Sequence, residues 1–134
     1  MPSAAILIVG EDPALLDFSA TPPGVTARTI TEGLEGARDR LEAAGHVAEI
    51  LWTRAGGPDG VRVAADQLGE ALRAPPEGRA AWDVVVIGAG LRTLPAMALS
   101  FEALVNRLRD QSPGTRIAFN ATPADSDVAA LRQL

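Results

Sequence analysis

Apolar positions along this chain fall into two kinds of run. Ala4 to Val9 (AAILIV) and Val84 to Ile87 (VVVI) are unbroken, with no polar residue inside either. A strand apolar at every position has both faces covered, as in the centre of a parallel sheet flanked by helices. Elsewhere the apolar residues recur at helical spacing. Ile30, Leu34, Ala37, Leu41 and Ala44 predict a helix that starts at the capping box Thr29-Ile30-Thr31-Glu32 and stops at Gly45. Val61, Ala65, Leu68 and Leu72 predict a second helix, closed by Pro75-Pro76, and the residues from Leu94 through Phe101 and Leu104 to Leu108 predict a third, with Pro95 in its first turn. His46 to Trp52 alternates only partly and carries Glu49, the pattern of an edge strand. Thr115 to Phe119 reads as a fourth strand, and Thr122-Pro123-Ala124-Asp125 opens a last short helix with cap, proline and acid in place.

Strand and helix therefore alternate four times across a single domain, residues 1–134. That pattern predicts a three-layer, doubly wound α/β fold with four parallel strands and right-handed crossovers. The two unbroken strands, first and third, belong in the middle, giving the order 2-1-3-4. Ligands in such sheets bind beyond the carboxyl ends of the strands where the order reverses, here between strands one and three. Gly10, Glu11 and Asp12 then face Gly88, Gly90, Arg92 and Thr93, with Asn120 and Thr122 flanking the cleft. Glycines at 88 and 90 offer conformational freedom and close approach to the main chain. A helix N-terminus following them favours an anion, with Arg92 as a cation beside it. Residues 10 to 28, with Pro13, Pro22 and Pro23, form a connection far longer than usual, as lids and binding loops are. His46 starts its strand and so lies at the opposite end of the sheet, where a surface or structural role is expected.

Composition removes much chemistry. The chain of 134 residues is 47% hydrophobic, enough for a substantial core, and has no cysteine or tyrosine and one histidine. All 12 basic residues are arginine, so Schiff-base chemistry and a phosphate-loop lysine are excluded together with thiolates and disulfides. A net charge of -5 and scattered arginines argue against nucleic acid. No apolar run approaches the roughly 20 residues of a membrane span, and Met1-Pro2-Ser3 carries no basic region, so a cytoplasmic protein is expected. Gly88-Ala89-Gly90-Leu91-Arg92-Thr93 shares only two glycines with the dinucleotide fingerprint, since Thr93 replaces the third and Asn120 stands where a ribose-binding acid belongs. A plain tight turn is the simpler reading of that stretch. Glu11 and Asp12, with Asp17 nearby, form an incomplete magnesium set. No metal or cofactor is assigned. Asp12 is the candidate base at the cleft, but no nucleophile pairs with it by spacing, which leaves enzymatic activity open.

Ile6-Leu7-Ile8-Val9-Gly10-Glu11-Asp12-Pro13-Ala14-Leu15-Leu16 resembles the start of response-regulator receiver domains, in which an acidic pair after the first strand holds magnesium. The resemblance implies a receiver-like or flavodoxin-like architecture. Gly88 occupies the phosphoacceptor position and the family's lysine has no counterpart, so it does not imply a phosphorylated switch. Ile87 to Thr93, with Phe101-Glu102, Asn106 and Phe119-Asn120, also resembles small bacterial proteins, a likeness that carries no activity with it. Two functions are then expected in alternative: a site for a polar or anionic small molecule, or a receiver-like interaction module. A homodimer is expected through the fourth strand and third helix, where Leu99 and Ala103 lie off the core stripe.

Overall fold

The computed structural model, which describes residues 3–134, divides each unbroken run between two cores. Strand β1 (Ala5–Glu11) alternates in the usual way of strands, so Leu7 and Val9 point to one side while Ile6 and Ile8 point to the other. The connection Asp12 to Thr26 leads to helix α1 (Ala27–Ala43), which is followed by β2 (Val47–Thr53) and α2 (Gly60–Arg73). Strand β3 (Val84–Ile87) runs into a single helical turn, α3 (Ala89–Arg92), and then into α4 (Ala98–Gln111). Strand β4 (Arg116–Phe119) and the short α5 (Ser126–Leu131) complete the chain.

The sheet is four-stranded and parallel throughout, in the order β2-β1-β3-β4. Helices α2 and α4 cover one face, where Leu68, Leu72, Leu104 and Leu108 meet Leu7, Val9, Val85 and Ile87. Helices α1 and α5 cover the other, where Ile30, Leu34, Leu41 and Ala129 meet Ile6, Ile8, Val84 and Val86. This is the three-layer α/β arrangement expected from the pattern, compatible with a flavodoxin-like fold. Each fully buried leucine, isoleucine or valine contributes about 1.5–3 kcal/mol, and the strands supply seven such side chains at 0% exposure: Ile6, Ile8, Val9, Val84, Val85, Val86 and Ile87. Strand β2 is an edge strand with Glu49 in solvent, as its alternation suggested.

Local chemistry moves several boundaries. Gly10 and Glu11 belong to β1 rather than to a loop, because β2 continues past the end of β3 and pairs Gly10 with Trp52 and Glu11 with Thr53. Helix α1 starts one turn before the expected cap: Thr26 accepts the Thr29 N–H at 3.1 Å, and Thr29 Oγ1 accepts the Thr26 N–H at 2.8 Å. The reciprocal pair satisfies two end donors with two threonines where glutamate is commoner at the third position. Gly45 does stop the helix, at φ 95°, a left-handed conformation that a glycine adopts without strain. The third predicted helix begins as a turn of 3-10 helix, Pro95–Met97, that runs into α4, and α3 is a separate turn ahead of it. Pro95 holds Leu94 extended at ψ 124°, so α3 ends before it and α4 begins beyond a turn of 3-10 helix.

Thr122 to Asp125 forms the expected cap, the Asp125 carboxylate accepting the N–H groups of Ala121 at 3.0 Å and Thr122 at 3.1 Å. Across the α1/α5 layer Arg40 bonds Asp127 at 2.9 Å and holds its carboxyl below the usual aspartate range. His46 is buried and accepts the Ala4 N–H on Nδ1 at 3.0 Å, so its role is structural. Among the described residues no helix is long and apolar enough to cross a membrane. Met1 and Pro2, which enter the reading of the N-terminus, lie outside the described residues.

Candidate functional site

The carboxyl ends of β1, β3 and β4 open into a cavity of about 390 Å³. Gly10 and Glu11 close the β1 side of it, and Gly88, Ala89 and Gly90 form the β3 side. Asn120 to Pro123 form a third wall beyond β4. Leu34 and Ile30 rise from α1 beneath it, while Leu16, Thr21, Pro22 and Val25 come from the connection Asp12 to Thr26. The position is the one the strand order dictates, because the connections from β1 and β3 leave to opposite faces and part the layers there. Seven of the nine residues singled out from the sequence line this cavity: Gly10, Glu11, Gly88, Gly90, Thr93, Asn120 and Thr122. Asp12 and Arg92 do not.

Arg92 is committed elsewhere. Its Nε donates to the Ile87 carbonyl at 3.0 Å, a terminal nitrogen donates to the Asn120 carbonyl, and the guanidinium lies 4.8 Å from the centroid of the Phe119 ring. The side chain thus ties together the ends of β3 and β4. Burial pulls its pKa below the usual arginine value, against the opposing charge of Asp125. The expectation that Arg92 stands free as an anion-binding cation is corrected by these bonds: two strand-end carbonyls need donors, and a planar guanidinium supplies two at once.

The acids are similarly spent. Glu11 is 3% exposed and accepts from Thr53 Oγ1 at 2.7 Å, from the Ala55 N–H at 2.9 Å and from the Gly56 N–H. It therefore anchors the loop after β2 to the end of β1. Asp12 caps the turn that follows it, accepting the Ala14 N–H at 2.9 Å, and stands 4.0 Å from Arg54. A free base or metal ligand would need an oxygen directed into the cleft. Among the described residues no group of three or more histidine, cysteine, aspartate or glutamate side chains is placed to hold a metal ion.

The glycine turn also differs from its expected form. Gly88 caps α3 at φ -68° and Gly90 lies within that helix, so neither uses a left-handed conformation. A Cβ at Gly88 would come 3.1 Å from the Val9 carbonyl, which identifies neighbouring β1 as the reason for a small residue there. Gly90 has room: an added Cβ would make ordinary contact with the methyls of Leu16, at 3.6 and 3.9 Å. Asn120 is the hub of the third wall, its Oδ1 accepting the Ala89 N–H at 2.9 Å and its Nδ2 donating to Ser126 Oγ at 2.9 Å.

Sequence reasoning found the walls at the strand ends and missed the apolar floor and roof. Ile30 and Leu34 read as ordinary core positions of α1, and no periodicity marks Leu16 or Val25. The one signal pointing to them was the length of the connection that carries two of them. Comparison of the chain with protein-family models, with curated proteins and with solved structures finds no match.

Proposed function

We propose that this protein binds a small molecule in the cavity between β1 and β3. The observation that carries the reading is the coincidence of three features: the reversal of strand order, a cavity of about 390 Å³, and a long connection that crosses it. That volume lies near the lower end of the roughly 300–1,000 Å³ usual for ligand pockets. The test is a library of small fragments of mixed charge, screened by amide resonances of the labelled protein. A ligand should shift Gly10, Gly88, Gly90 and Ala121 together. Gly90→Leu should leave the protein folded, since the position is helical and has space for a side chain, and should cut the affinity at least tenfold by filling the cavity. Hits that bind both forms equally would remove the cavity from the function.

A second reading, a receiver-like interaction module that pairs with its own copy, has separate support. Leu99 on α4 is 67% exposed and Phe119, at the end of the β4 edge strand, is 44% exposed. Phe119 packs edge-on against Phe101 with centroids 5.8 Å apart, which ties the exposed end of β4 to α4. Ala103, by contrast, is half-buried. On this reading sedimentation at micromolar concentration shows a dimer, and Leu99→Glu converts it to monomer without loss of fold. A monomer at every concentration tested removes the module's self-pairing.

A further inference from the structure

We infer that the occupant of this cavity is neutral and largely hydrocarbon, with one hydrogen-bonding group at its exposed end. This rests on the binding role proposed above and adds the class of molecule. The side chains that face the space from roof and floor are Leu16, Pro22, Val25, Ile30, Leu34 and Leu94, none of which carries a polar atom, with Thr21, an uncharged side chain whose hydroxyl donates to the Phe18 carbonyl at 3.0 Å. Each charged residue near the cleft is turned from it or already satisfied. Arg92 serves the carbonyls of Ile87 and Asn120, Glu11 takes three donors from the loop after β2, and Asp12 caps its own turn. The Asn120 amide is engaged at both ends, by Ala89 and Ser126.

An ionised ligand would enter this space without a counter-charge. Stripping water from a carboxylate or phosphate under those conditions costs several kcal/mol that nothing in the lining returns. A neutral chain or ring instead releases water from apolar surface on both partners. The side-chain groups with capacity left are the hydroxyls of Thr21, Thr93 and Thr122, the last two exposed where they border the cavity. Thr93 donates its proton to the Ala89 carbonyl at 2.7 Å and keeps its lone pairs, so it can accept from an alcohol or amide. At roughly 30 Å³ for each water-sized unit, about 390 Å³ accommodates roughly a dozen non-hydrogen atoms.

A matched pair of probes tests the class: 1-octanol and octanoate, titrated into the labelled full chain at pH 8, with inorganic phosphate as a third arm. Octanol is expected to shift Gly10, Gly88, Gly90 and Ala121 in a saturable way, octanoate to bind at least tenfold more weakly, and phosphate to shift none of them. Thr21→Arg places a cation in the roof and should narrow or reverse the preference for octanol. Equal or tighter binding of octanoate by the parent at the same amides overturns the neutral class and leaves the cavity as a binding site. The same holds if octanol is silent while a charged fragment shifts those amides. Silence at these amides from octanol, octanoate and every fragment overturns both readings.

Discussion

Replacing Glu11 with alanine should lower the stability of the protein by about 3–5 kcal/mol, with a fall in Tm on the order of 10–20 °C for a chain of this length. The carboxylate is 3% exposed and is the acceptor for the Thr53 hydroxyl and the N–H groups of Ala55 and Gly56. Each buried donor left without an acceptor costs about 1–3 kcal/mol, and water admitted into the vacated space recovers part of the sum. Glu11→Gln retains one carbonyl oxygen but turns an amide donor toward other donors, so its stability should fall between the two. Urea unfolding checks this through a reduced midpoint at unchanged slope. A midpoint for Glu11→Ala equal to that of the parent would show that the loop after β2 does not depend on this clamp.

The second large effect is expected at Arg92. Read as a free cation, its loss would leave stability unchanged and abolish anion binding. The structure reverses both expectations. Arg92→Ala removes donors from the carbonyls of Ile87 and Asn120 and exposes the ring face of Phe119, so it should destabilise by about 2–4 kcal/mol, since hydrogen bonds to a charged group contribute a net of about 1.5–3 kcal/mol each and water entering this half-buried site recovers part of the loss. Arg92→Lys should restore less than half of that, because a point ammonium cannot span two carbonyls as a planar guanidinium does. Affinity for a neutral ligand in the cavity should change by less than threefold. Thermal unfolding together with octanol titration of the two variants reads both quantities. A variant as stable as the parent that has lost phosphate binding would return Arg92 to the role of anion ligand.

The two functional readings also make different use of the same strand ends. In the binding reading the apolar lining of α1 and of the connection does the selecting, and Phe119 merely supports Arg92 from outside. In the interaction reading Phe119 and Leu99 are themselves the contact. Because the cavity lies on the α1 side while Leu99 and Phe101 belong to α4, a single substitution in one region should leave the other property intact.

The sequence by itself determined the layers and the order of the strands. An apolar residue at every position of Ile6 to Val9 and Val84 to Ile87 can be satisfied only by helices on both faces, and that condition sets the two runs side by side in the centre. It also placed the cleft, which follows from strand order alone. The direction of polar side chains at the cleft was decided by tertiary structure. Arg92, Glu11 and Asp12 each had a plausible ligand role by position. Yet the partners they take up, the Ile87 and Asn120 carbonyls, the Ala55 and Gly56 N–H groups and the Ala14 N–H, come into reach only when the chain has folded. Buried main-chain groups at strand ends must be paired, and the nearest flexible charged side chain meets that need before any ligand does. The apolar character of the cavity was decided in the same way, since Leu16 and Val25 lie on an irregular connection whose path over Gly90 and Leu34 no sequence period encodes.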